Sequence, residues 1–318
     1  MHDDDLRRAA AVIRAGGLVG MPTETVYGLA ADALNEDAIR RIFVAKGRPL
    51  TDPLIVHVGD AEHAWTVAVP TASARRLAER FWPGPLTLVL QRRDVVPALV
   101  SAGLATVAVR CPAHPIALAL VRASGRPLAA PSANLFGRIS PTTAAHVREQ
   151  LGDRVDIVLD GGPCAVGIES TVLRPDPTPV ILRPGGVTRE AIATALDVPV
   201  TLGDRAQRAA SVAMESPGML ASHYAPRLPM ILRERGAPWP DDASLGYLAL
   251  RGDDLPPAAR HVEILSPTGD LDEAAANLFA ALRRLDDSPV RVIVAETVRE
   301  AGLGVGINDR LRRAAGLG

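Results

Sequence analysis

The stretch Leu18-Val19-Gly20-Met21-Pro22-Thr23-Glu24-Thr25-Val26-Tyr27-Gly28 changes character at its middle. Residues 18–21 read as a short buried strand, and Pro22 ends it because proline brings no amide to a sheet ladder. Short hydroxyls, a carboxylate and a phenol then follow on a turn. Such a set suits recognition of a small zwitterion, and it equally suits a cap for the next segment.

Outward from this stretch, residues 6–15 carry helical periodicity that Gly16-Gly17 stops. On the other side Asn35 is an N-cap for a helix with Glu36 and Asp37 in its first turn and Ile39, Ile42 and Phe43 on one face. That helix runs out at Lys46-Gly47-Arg48-Pro49. Strand-like runs follow at 54–58, 86–90, 106–109, 128–130, 157–159 and 180–182, with helical patterns at 72–81, 115–123, 142–151 and 189–196. Strands alternating with helices predict an α/β fold, and strands that follow one another directly make its twisted sheet mixed. From 198 to 226 the pattern weakens, with a turn signal at Ser216-Pro217-Gly218. Apolar runs return at 230–232, 245–250, 262–265 and 290–295, with helices at 271–285 and 307–314. The expected organisation is a catalytic domain over 1–200, a long linker or lid over 201–228, and a smaller Rossmann-like α/β domain over 229–318.

Composition narrows the function classes. Hydrophobic residues are 47% and charged residues 22% of the chain, a soluble globular balance with no apolar run long enough to span a membrane. The acidic start, Met1-His2-Asp3-Asp4-Asp5, is unlike a secretory signal, and two cysteines support neither a disulfide framework nor a zinc site. A cytoplasmic location is the expectation. A net charge of −1 argues against holding nucleic acid by its phosphates, so weak or no direct binding is expected. Of the 35 basic side chains Lys46 is the only lysine. Against such a bias towards arginine, a lone lysine reads either as a position that needs a compact ammonium and not a planar guanidinium or as a chance survivor on a helix surface, and its neighbours decide between them.

P-loop, G-x-S-x-G and H-E-x-x-H signatures are absent. Polar clusters stand instead at the ends of apolar strands, where α/β proteins place their sites. Lys46 and Arg48, on a backbone held open by Gly47 and Pro49, suit a polyphosphate or complement a helix C-terminus. Arg110 closes a strand, a place that suits a clamp on a carboxylate and equally suits an exposed strand-end arginine. Pro131-Ser132-Ala133-Asn134 offers small donors, and Gly-rich turns bracket Glu169, Ser170 and Arg183. Ser222-His223-Tyr224-Ala225-Pro226 is a candidate lid.

Taken together, these segments resemble the threonylcarbamoyl-AMP synthase family, YrdC-like, in its longer two-domain form. The carriers are Pro22–Gly28, Lys46–Arg48 with Pro53-Leu54-Ile55-Val56-His57, Phe81-Trp82-Pro83-Gly84-Pro85, Pro131–Asn134, Gly167–Thr171, Arg183–Gly186, Ser216–Met219 with His223–Pro226, and Gly302-Leu303-Gly304 with Arg310-Leu311. The resemblance implies that L-threonine is held by Thr25, His57, Arg110, Ser170 and the backbone near Ala130. It implies that ATP is held by Lys46, Arg48, Asp52, Thr106, Ser132, Asn134, Ser140 and Arg183, with Tyr224 closing over the nucleotide. Phe136, where a small polar residue is usual, and Asp52, where asparagine is usual, depart from the pattern.

The implied reaction condenses L-threonine, bicarbonate or CO2 and ATP to threonylcarbamoyl-AMP and pyrophosphate, for modification of adenosine beside the tRNA anticodon. Lys46, Arg48 and Arg183 would stabilise phosphate charge, with Mg2+ brought on the ATP phosphates and no direct protein ligand to metal. A transient hand-off to a tRNA threonylcarbamoyl-transferase complex is implied as well. Two rivals are a carbamoyl-phosphate-using adenylating module and a non-enzymatic RNA-binding module. The first needs zinc-finger cysteines that this chain lacks, and the second needs interleaved basic and aromatic residues.

Overall fold

The computed structural model describes residues 3–203, 224–253 and 255–317. The expected turn at Ser216-Pro217-Gly218, together with Ser222 and His223, lies outside the described residues. Helix α1 (Asp3–Arg14) leads to β1 (Val19–Met21), which pairs antiparallel with β2 (Gly28–Asp32) around the turn at 22–27. Helix α2 (Glu36–Lys46) is capped as its residues dictate. The Asn35 side chain accepts from the amides of Asp37 and Ala38, and Gly47 closes the helix at φ 62°.

Eight further strands follow: β3 (Ile55–His57), β5 (Leu86–Arg92), β6 (Thr106–Arg110), β7 (Leu128–Ala129), β8 (Ile157–Val158), β9 (Thr171–Arg174), β10 (Val180–Arg183) and β11 (Thr201–Leu202). With β1, β2 and a short β4 (Ala68–Val69) on β5 they form an eleven-stranded sheet among the described residues, ordered β11-β10-β9-β5-β6-β3-β7-β2-β1-β8. The β3–β6 and β5–β9 pairs are parallel and β5–β6 antiparallel, so the sheet is mixed. Helices α3 (Ala61–Trp65), α4 (Ala72–Phe81), α5 (Pro115–Ser124), α6 (Ala144–Leu151) and α7 (Arg189–Leu196) accompany it.

Alternation along the strands divides the sheet into two faces. Val56, Leu88, Val109, Leu173 and Ile181 join the largest buried cluster with Ile42, Leu77 and Ile192 from the helices. Ile55, Val89, Ala108, Val172 and Leu182 form a smaller cluster on the other face. Two residues on from Ile55 and Ala108 along that second face stand His57 and Arg110. In β10 the register shifts between Ile181 and Arg183, so that Arg183 comes opposite Val172. This bulge re-aims the arginine to the same face.

The C-terminal part is a four-stranded parallel sheet, β12 (Met230–Arg233), β13 (Leu245–Ala249), β14 (His261–Ile264) and β15 (Val292–Glu296), in the order β12-β15-β13-β14. Helices α8 (Leu271–Asp286) and α9 (Gly304–Ala314) pack on it. The two parts share apolar packing. Val26, Ile139 and Ile168 of the first lie in one buried cluster with Leu278, Phe279, Ile307 and Leu311 of the second. Glycine lets the backbones touch there: a Cβ on Gly167 would fall 2.4 Å from the Ala275 carbonyl oxygen, and one on Gly306 3.4 Å from the Gly185 Cα.

Candidate active site

The strand ends converge on one cavity. It is lined by the 23–28 turn after β1, the ends of β3 and β6, the loop after β7, residues 169–170 before β9, Arg183 at the end of β10, and Tyr224. Parallel pairing of β3 and β6 sets His57 opposite Arg110, which brings imidazole and guanidinium to the same edge. Arg110 Nη1 donates to Thr25 Oγ1 at 2.9 Å, and its Nε donates to the Gly84 carbonyl at 3.2 Å. Its Nη2 lies 2.7 Å from Glu24 Oε1, within ion-pair range but turned out of hydrogen-bond alignment. Burial works to raise the Glu24 carboxyl, and the adjacent Arg110 charge, with nearby polar backbone, outweighs it and holds the group below the usual value. Ser170 Oγ is 2.8 Å from Thr87 Oγ1, and Arg183 Nη2 donates to the Ser170 carbonyl at 3.0 Å.

All five residues expected to hold threonine, Thr25, His57, Arg110, Ala130 and Ser170, line this cavity. The expected ATP set divides. Arg48, Ser132, Arg183 and Tyr224 line the cavity, whereas Lys46, Asp52, Asn134 and Ser140 are not among the lining residues. Lys46 is buried and donates to the Ser132 and Asn134 carbonyls at 2.5 and 2.6 Å. Burial, and then the Arg48 charge, push its amine well below the ordinary value. The only lysine therefore ties a loop from behind, a place where a compact ammonium fits between two carbonyls and a planar fork does not. Asp52 pairs with Arg48 at 2.8 Å, yet neither carboxylate oxygen has a hydrogen bond of good geometry, and burial pushes its carboxyl up. Asn134 spends its amide on the Leu135 and Arg138 carbonyls, and Ser140 donates to Glu169 Oε1. Thr106 begins β6, four residues before Arg110 on the same face, about 13 Å away at the usual rise per residue. Phe136 places its ring 6.0 Å from the Arg48 guanidinium, at the outer limit of a cation–π contact.

Burial first, and the Arg110 charge second, push the His57 imidazole down to about 3 from 6.5. An unfolded chain takes up this proton more readily between those values, so stability is lost as pH falls through that window. His57 alone is expected to cost about 2 kcal/mol between pH 7 and pH 5. Denaturant midpoints of wild type and His57→Gln across this range check the sign, the variant showing the shallower acid loss. Equal slopes would remove His57 from the account.

Two family models cover adjoining stretches. The Sua5–YciO–YrdC model, described as telomere recombination, matches residues 11–185, and the model for the C-terminal domain of threonylcarbamoyl-AMP synthase matches residues 187–316. A threonylcarbamoyl-AMP synthase of Bacillus subtilis is 42% identical, over 99% of this chain and 94% of that protein. The chain belongs to the threonylcarbamoyl-AMP synthase family. A family member from Pyrococcus abyssi is 44% identical over 98% of this chain and 94% of its own length. A crystal structure of P. abyssi Sua5 complexed with L-threonine is also similar, with a TM-score of 0.90 and 41% identity, covering 100% of this chain and 96% of that one. The mixed sheet with its parallel C-terminal companion is thus a family fold. Among the described residues no helix is long and apolar enough to cross a membrane, and no cluster of three or more His, Cys, Asp or Glu is arranged to hold a metal ion.

Sequence reasoning passed over Glu24 and Thr87 as partners of the lining residues. Their signal is geometric: the 22–27 turn sets Glu24 against Arg110, and β5–β9 pairing sets Thr87 beside Ser170.

Proposed function

We propose that this protein condenses L-threonine, bicarbonate or CO2, and ATP to threonylcarbamoyl-AMP and pyrophosphate, acting as a nucleotidyltransferase in tRNA modification. The observation that carries this reading is a single cavity lined by all five expected threonine residues together with Arg48 and Arg183. The family relatives named threonylcarbamoyl-AMP synthase and the threonine complex of P. abyssi Sua5 support it.

In this reading Arg110 takes the threonine carboxylate as a fork, and Thr25 and Ser170 orient the amino acid by their hydroxyls. The neutral amine attacks CO2 derived from bicarbonate, loses a proton and becomes a carbamate. The carbamate oxygen attacks the α-phosphorus of ATP and pyrophosphate leaves. Nothing in this sequence requires a covalent enzyme intermediate, so the protein contributes position and charge. Arg48 and Arg183 act on the phosphates directly. Lys46 acts through the 132–134 loop that it ties, and Asp52, Asn134 and Ser140 support that side. Thr106 meets the far end of the extended nucleotide. Mg2+ arrives as part of the MgATP substrate. Tyr224 closes over the nucleotide and shields the fragile carbamate from water, while residues 204–223 of the expected 201–228 lid lie outside the described residues. Residues 1–200 are the catalytic domain and 229–318 the smaller one. The product passes transiently to a tRNA threonylcarbamoyl-transferase complex in the cytoplasm.

Pyrophosphate release from ATP, with threonine and bicarbonate each omitted in turn, tests the reaction. Release is expected only with all three. Release indifferent to threonine, or none with every substrate present, would overturn it.

A further inference from the structure

The C-terminal helix α9 sends one fully buried side chain into the wall of the cavity. Arg310 donates from Nε to Glu169 Oε2 at 2.8 Å, from Nη2 to the Glu169 carbonyl at 3.3 Å, and from Nη1 to the Pro184 carbonyl at 2.8 Å. Its own helix supplies a further carboxylate, Asp309, 2.9 Å from Nη1, which Arg313 holds from the next turn at 3.0 Å. The Tyr224 ring lies 5.4 Å from the guanidinium and 5.5 Å from the Phe279 ring of α8.

These partners are not scattered over the interface. Glu169 precedes Ser170, Pro184 follows Arg183, and Tyr224 lines the same cavity as both. The second Glu169 oxygen accepts from Ser140. Apolar packing and the Gly185–Gly306 approach already join the two parts. A buried ion pair replaced by well-packed apolar groups is often neutral for stability, so adhesion alone does not call for one here. What a five-donor fork adds is fixed geometry between two segments that are otherwise loops.

We propose that Arg310 is a positioning residue of the synthase site, and that the C-terminal domain thereby sets the separation between Ser170 on the threonine side and Arg183 on the phosphate side. This rests on the synthase reading given above. It also makes the site a two-domain construction in which the smaller domain is required for substrate affinity.

Arg310→Lys keeps the charge and loses the fork. At a temperature where circular dichroism shows it folded, its KM values for threonine and ATP are expected to rise, lowering kcat/KM by about 10–100-fold, the scale of sub-ångström to ångström misplacement. Arg312→Ala, on the same helix with its partner Glu300 outside the site, is expected to keep wild-type values. A merely structural role predicts fewer active molecules with unchanged KM, and that result would overturn the inference. If Arg310→Lys does not fold, Glu169→Gln is read in its place, with a KM increase expected and unchanged KM again overturning. Wild type that releases no pyrophosphate in a threonine-dependent way sinks the synthase reading itself. An active wild type with variants of unchanged KM sinks only the part given to Arg310.

Discussion

Arg183→Met is expected to lower kcat/KM for threonine-dependent pyrophosphate release by about 10²–10³-fold, the range found when one preorganised donor is removed from a developing charge. The bulge in β10 aims Arg183 into the cavity, and burial removes competing water, so its charge acts in a medium of low polarity. Burial lowers the pKa of the guanidinium, yet an arginine stays protonated in proteins, and the charge is present at any assay pH. Threonine binding measured by calorimetry should change far less than ATP turnover, because the Thr25–Arg110 side is untouched. A variant that loses threonine affinity while keeping turnover at saturation would assign Arg183 to the wrong substrate. Lys46→Met gives a useful contrast, since it acts on the nucleotide only through the 132–134 loop and should raise KM for ATP more than it lowers kcat.

The second large effect is on stability. Arg110→Met leaves the buried Glu24 carboxylate without its counter-charge, and removing one partner of a buried ion pair costs about 3–5 kcal/mol. Adding Glu24→Gln removes the stranded charge and is expected to recover about 2–3 kcal/mol, the upper range of coupling between contacting residues. Denaturant unfolding of the two single variants and the double variant measures this coupling. Threonine binding should stay lost in the double variant, because the fork for the carboxylate is gone even where the fold is restored. Simple additivity of the two changes would show that the pair carries no special interaction.

Periodicity made much of the architecture legible. The helix expected at 72–81 and the strands expected at 86–90 and 106–109 appear as Ala72–Phe81, Leu86–Arg92 and Thr106–Arg110, because the helix has one apolar stripe and the strands are apolar runs buried in the sheet. Strand β2 escaped detection: Gly28-Leu29-Ala30-Ala31-Asp32 has no β-branched residue and is buried at every position, leaving no alternation to read. Strand β9 was hidden behind the Gly-rich 161–167 turns, and β11 is two exposed residues. At the site, residues within short motifs were legible because strand ends carry them. The Glu169–Arg310 pair spans 141 positions: the closing segment marked Arg310 through the family resemblance, but nothing in a single sequence says which carboxylate it reaches across that gap. The functional use of Lys46 was half legible. Its isolation among arginines marked it as special, while its carbonyl partners depend on how the 131–134 loop folds back over α2.

The shared core described above has a consequence for synthesis on the ribosome. Val26, Ile139 and Ile168 belong to early-emerging sequence, but their apolar cover includes Ile307 and Leu311. At about 5–20 residues per second, the stretch from 203 to 314 takes on the order of 5–20 s to translate. During that interval the nascent chain displays an uncovered oily face beside an unfinished cavity wall. Enzyme competence therefore arrives late in translation, once the last helix has emerged to close the wall.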